Sequence, residues 1–99
     1  MSPTKAEKSY WDRLVNEVGC IACLIDGNEN HHVSIHHVFG RTKKGAHMNV
    51  LPLCEFHHQT GGESAPSLHP WRNRFAEKYG TEVELMAMCN KLLGLVLPE

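Results

Sequence analysis

Four soft metal donors occur in this chain as two close-spaced pairs, Cys20-Ile21-Ala22-Cys23 and Cys54-Glu55-Phe56-His57. Cys20, Cys23, Cys54 and His57 have the types and spacing that a closed tetrahedral zinc site needs. A lone Cys-x-x-Cys could be a redox pair in a reducing compartment. The second pair makes zinc the better reading, and the thirty residues between the pairs fit two knuckles closing over a hairpin. His36-His37, Asn49 and His58 are left unspent by that zinc. Polar residues so close together on a metal-stapled scaffold look like an active site. All eight histidines fall between His31 and His69, which argues for one site rather than scattered surface positions.

Several elements must position these residues. Lys5–Val18 reads as a helix after a loose end at 1–4, with Trp11, Leu14, Val15 and Val18 on one face. Gly19 stops it and opens the first knuckle. Asp26-Gly27-Asn28 signals a turn. Val33-Ser34-Ile35 has strand-like alternation, and the strand ends at Phe39-Gly40. Arg41–Gly45 is a basic loop carrying Arg41, Lys43 and Lys44. Val50-Leu51-Pro52-Leu53 is a second strand, whose proline marks an edge or an end. Cys54–Gln59 begins a short helix that Gly61-Gly62 breaks, and 66–69 is a loop. Pro70–Tyr79 is a helix with proline in its first turn and Gly80 closing it. Thr81-Glu82-Val83-Glu84 has capping-box spacing. The helix after it carries Leu85, Met88, Cys89, Leu92, Leu93 and Val96 on one side. Cys89 reads as a core residue.

At 99 residues the chain is one domain, small enough to benefit from a metal staple. A hydrophobic fraction of 41% is ordinary for a globular protein. A net charge of −1 and a pI near 6.7 exclude a basic nucleic-acid coat protein. No apolar run is long enough for a membrane span and no signal peptide is evident, so the expected location is cytoplasmic. In a reducing compartment the four cysteines point to metal rather than disulfides.

The segments Ile35-His36-His37-Val38, Asn49-Val50-Leu51-Pro52-Leu53-Cys54 and His57-His58 resemble the HNH, or ββα-metal, endonuclease finger. The match covers roughly Cys20 to His58, a core finger at about 20–60 within a single nuclease domain at 1–99. In many members the last zinc ligand directly precedes the last catalytic histidine, and His57-His58 has that order. Leu68-His69 and Phe75-Ala76-Glu77-Lys78-Tyr79-Gly80 are similar to the phage recombination-enhancement, RecA-dependent nucleases, a branch of this superfamily. The implied fold is α+β: a small zinc-stapled ββα finger with an N-terminal helix and two C-terminal helices. The implied activity is metal-dependent hydrolysis of DNA phosphodiester bonds in phage or prophage recombination, inside a bacterial host cell. DNA and a recombinase filament are the implied partners.

Such hydrolysis needs a base that works near neutral pH, which histidine supplies. It also needs a cation to offset charge at the phosphate and the leaving oxygen. Neighbours on a strand face opposite ways, so His36 and His37 cannot easily share a task. The resemblance assigns His36 to the catalytic metal and His37 to the base. It makes His58 a second ligand and His69 a third, around magnesium or another divalent ion. Asn49 would hold the base's ring or position the hairpin loop. Blander roles stand beside these: strand histidines satisfied by backbone, Asn49 as a turn residue, His69 as the lead-in to Pro70. His31, His32 and His47 read as exposed or outer residues, and His57 and His58 could exchange roles. Arg41, Lys43 and Lys44 could contact phosphate, as could Arg72, Arg74 and Lys78, although charged loops are often simply solvated. The rival function is a non-catalytic zinc-finger module that binds DNA or protein.

Overall fold

The first helix starts at Thr4, whose hydroxyl accepts from Glu7 N–H at 3.1 Å while the Glu7 carboxylate accepts from Thr4 N–H at 2.7 Å. This capping box makes the expected loose end the first anchor of the fold. In this computed structural model the described residues are 2–62 and 65–95. Helix α1 (Lys5–Arg13) runs into a π-helical turn, Leu14–Val18, in which Gly19 N–H reaches back to the Leu14 carbonyl at 2.8 Å. The inward line is Tyr10, Leu14 and Val18. Trp11, expected in the core, sits half-buried at its margin because the side chain turns toward the histidine loop instead.

Gly19 has φ 72°, and a Cβ there would meet the Asn30 carbonyl oxygen at 2.5 Å. Glycine therefore lets Cys20 N–H donate to that carbonyl at 2.7 Å. The knuckle then winds into α2 (Ile21–Ile25), capped by Cys20 Sγ accepting from Cys23 N–H at 3.4 Å.

Strands β1 (Ser34–His37) and β2 (Val50–Leu53) pair antiparallel, with Ser34 opposite Leu53, His36 opposite Leu51 and His37 opposite Val50. In a two-stranded sheet each strand keeps a free edge, so Pro52, opposite Ile35, is tolerated. β2 is buried along its whole length against α2, the π-helical turn and α4 (Glu82–Leu92). A second π-helical turn, Phe56–Thr60, follows it. Leu68 N–H to the His57 carbonyl (2.8 Å) and His69 N–H to the His58 carbonyl (2.9 Å) then draw the next segment across that turn.

Helix α3 spans Arg72–Tyr79. Its start differs from the expected Pro70: Trp71, with non-helical backbone angles, is the N-cap, and the helix begins at Arg72. Helix α4 has the expected capping box between Thr81 and Glu84. Its inner line is Leu85, Cys89 and Leu93, with Met86 at the margin. Met88 and Leu92, expected inside, are exposed; one line of side chains suffices for a helix packed on β2 and the first π-helical turn. Val96 lies outside the described residues. Tyr10 Oη donates to Asn90 Oδ1 at 2.6 Å, and Arg13 Nη2 donates to the Leu93 carbonyl at 2.8 Å, tying α1 to α4. The result is a small α+β unit. No helix among the described residues is long and apolar enough to cross a membrane.

Candidate metal centres

Cys20, Cys23, Cys54 and His57 converge from the first knuckle and the end of β2, all buried. His57 Nδ1 lies 3.6, 3.4 and 3.2 Å from the sulfurs of Cys20, Cys23 and Cys54. Cys23 Sγ and Cys54 Sγ are 3.8 Å apart, too far for a disulfide. A tetrahedral zinc with Zn–S of about 2.3 Å and Zn–N of about 2.0–2.1 Å implies S···S edges of about 3.8 Å and S···N edges of about 3.6 Å. The donors therefore fit zinc in type and spacing. Burial raises the Cys20 thiol, and pushes that of Cys23 up to about 12, the opposite of a reactive redox pair. A divalent cation is what would turn these buried thiols into thiolates.

The outer side of this site is also built. His57 Nε2 faces Tyr79 Oη at 3.1 Å and Asp26 Oδ2 at 3.4 Å. Tyr79 Oη donates to Asp26 Oδ2 at 2.7 Å, which leaves its oxygen to accept from His57 Nε2–H. That leaves Nδ1, which faces the sulfurs, with the lone pair a metal would need. The spacing of the two pairs found the four inner residues but carried no signal for Asp26 or Tyr79.

A second cluster joins His36 of β1, His58 of the second π-helical turn and His69 before α3. One nitrogen from each lies within 4.8 Å of the others, and His36 Nδ1 is 3.2 Å from His58 Nε2. Burial is the main force holding His36 and His58 below the ordinary histidine range, and the neighbouring imidazoles add to it. Both rings are thus neutral at pH 7, the form that ligates. Imidazole nitrogens suit zinc, nickel, copper or iron; magnesium prefers oxygen and fits this set poorly. Behind His36 stands Glu82, with Oε2 at 3.0 Å from Nε2, and Arg72 Nε lies 3.3 Å from the other Glu82 oxygen. Sequence reading missed Glu82, which lay unmarked inside a capping box.

His57 and His58 part: His57 turns to the sulfurs and His58 to His36. His37 goes to the opposite face of β1. Its Nε2 lies 2.9 Å from His47 Nδ1, and Trp11 meets both rings edge-on at 5.5 Å. Trp11 Nε1–H donates to the His47 carbonyl at 2.7 Å. His37 Nδ1 is buried without a hydrogen bond. Burial, then the Arg41 charge, lower the His37 pKa, so the ring is neutral. Asn49 reaches into the hairpin loop, where its Nδ2 donates to the Gly45 carbonyl at 2.9 Å. His47, only 7% exposed, takes the ring-holding position. Arg41, Lys43 and Lys44 are exposed on the hairpin loop.

A protein-family model described as recombination enhancement, RecA-dependent nuclease, matches residues 3–94. The uncharacterized protein YdfU of Escherichia coli (strain K12) is 32% identical over 79 residues, covering 80% of this chain and 21% of that protein. The chain thus spans about a fifth of the length of this curated relative.

Proposed function

Because the chain belongs to the family of recombination enhancement, RecA-dependent nucleases, we propose that it is a metal-dependent DNA endonuclease of the HNH, ββα-metal type. The observation that carries this reading is the convergence of His36, His58 and His69 from three separate elements beside the zinc knuckle. β1, β2 and the turn at Phe56–Thr60 supply the ββα frame, and Cys20, Cys23, Cys54 and His57 staple it through zinc. His36, His58 and His69 would hold a divalent ion, which supplies positive charge at the phosphate and the leaving oxygen when bound.

The chain's own residues do the rest. His37 takes a proton from the attacking water; burial and Arg41 keep its ring neutral and able to accept it. Its Nδ1 is buried and its ring packs against His47 on the face of β1 opposite the cluster, so the side chain must turn before it serves a water at that site. Asn49 braces the basic loop through Gly45. Arg41, Lys43 and Lys44 on the loop meet phosphates. The unit acts as a single domain on DNA in the bacterial cytoplasm, delivered by a recombinase filament, in phage or prophage recombination.

The covered His37 favours one rival, a module that only binds, in which the second cluster is a further structural metal site. Plasmid nicking separates the two, run with and without divalent ions and with and without recombinase filaments on single-stranded DNA. We expect His37→Ala to lower the rate about 100-fold or more with zinc content unchanged, a positioned base being worth about 10²–10⁴. His36→Ala should lower the rate and its dependence on the added ion. A His37→Ala protein as fast as wild type would refute the assignment of the base, and a wild type that cuts under no condition would leave the binding module.

A further inference from the structure

We propose that Glu82 is a positioning residue for the histidine cluster, selecting the ring form of His36 that presents Nδ1 to a metal ion. The proposal rests on the reading of His36, His58 and His69 as a divalent-ion site. Glu82 Oε2 lies 3.0 Å from His36 Nε2, with the two side chains 13% and 9% exposed. A carboxylate can only accept a hydrogen bond, so Nε2 carries the hydrogen and Nδ1 keeps its lone pair. Nδ1 is the nitrogen turned to His58 Nε2 at 3.2 Å. Proton placement and ring direction therefore agree: the nitrogen aimed at the cluster is the one able to ligate.

Glu82 is itself held from two sides. Arg72 Nε sits 3.3 Å from its other oxygen. Glu82 is also the first residue of α4, directly after Thr81, whose side chain accepts from Glu84 N–H at 3.2 Å. A position on α4 thereby sets the ring orientation of a strand residue 46 positions earlier. Glu82 touches the nitrogen of His36 that faces away from the cluster, so its place is behind the ligand rather than among the ligands. An outer carboxylate on a ligating histidine typically changes metal affinity about 10–100-fold.

The test uses the full chain with its knuckle loaded by one equivalent of zinc, and cobalt(II) as probe of the second cluster. A nitrogen-only cobalt site has d–d bands without the thiolate charge-transfer band of the knuckle, so the two sites are read separately. Glu82→Ala should weaken cobalt binding at the cluster about 10–100-fold and leave the knuckle's zinc in place, with no cobalt–thiolate charge-transfer band appearing. Nitrogen NMR of the rings should show His36 as the Nε2–H form in wild type and as a mixture in Glu82→Ala. Glu82→Gln, whose amide oxygen can still accept from Nε2–H, should keep that form and lose less than about tenfold. Equal cobalt affinity in wild type and Glu82→Ala would overturn the positioning role while leaving the metal site standing. A wild-type His36 protonated on Nδ1 would overturn it too, even if Glu82→Ala failed to fold. A wild type that binds no ion at the cluster would overturn the site and the positioning role together.

Discussion

His36 and His37 are adjacent in sequence yet serve opposite faces of β1, and this much follows from strand alternation alone. Their partners do not follow from it. Glu82, His47, Asp26 and Tyr79 reach the histidines from 10 to 46 residues away, through contacts that only the packed chain creates. No local spacing marks them, whereas the Cys and His pairs announce themselves at three-residue intervals. The buried rings also carry a pH signature. Burial holds His36, His37, His57 and His58 below the ordinary histidine range. Between those depressed values and about pH 6.5 the unfolded chain binds protons that the folded chain refuses. Stability therefore rises with pH across that window, is fully present above about 6.5, and is lost as pH falls through it. Zinc adds the same sign, since its ligands must shed protons to bind. We expect the melting temperature of the zinc-loaded protein to climb from about pH 5 to about pH 8. A melting temperature that fell over that range would contradict this account of the buried rings.

At the scale of elements, what could be read in advance was what local chemistry writes down. The capping box at Thr81, the hairpin strands and the N-terminal helix have short-range signatures, and all are present. The π winding at Leu14–Val18 and Phe56–Thr60, helix α2 and the late start of α3 have none. Helix α2 brings Cys20 and Cys23 toward one point, with Cys20 Sγ as its cap. This makes Cys20→Ser a sharp test of the metal. Serine keeps a capping oxygen, so what the substitution removes is the ligand. Structural zinc is worth about 10–16 kcal/mol in apparent binding energy, against a net stability of about 5–15 kcal/mol for a whole domain. Cys20→Ser should unfold or aggregate, as should wild type stripped with a strong chelator, both followed by circular dichroism and metal analysis. A Cys20→Ser protein with wild-type melting and no bound zinc would show that the knuckle does not hold the fold.

Across the whole molecule the deciding quantity is charge. A nuclease must bring its site to a polyanion, and affinity for DNA grows with the phosphates that Lys and Arg neutralise. This chain has ten basic residues against eleven acidic ones. Its dense basic segment is the hairpin loop with Arg41, Lys43 and Lys44, exposed beyond His37. On the far side of β1, Arg72 is already engaged with Glu82. A divalent ion at the histidine cluster would add positive charge only at the site itself. Three loop cations are too few for tight, salt-resistant binding. We therefore expect this 99-residue chain to bind DNA with a Kd of about micromolar or weaker at physiological salt. Cleavage should then accelerate when a recombinase filament on single-stranded DNA delivers the substrate, or when self-association doubles the contacts. Fluorescence anisotropy on single- and double-stranded oligonucleotides across a salt series measures the affinity. Charge-neutral substitution of Arg41, Lys43 and Lys44 should flatten the salt dependence by up to about three phosphate contacts. Nanomolar binding by the isolated monomer would remove the need for a delivering partner, because the chain would then hold its substrate unaided.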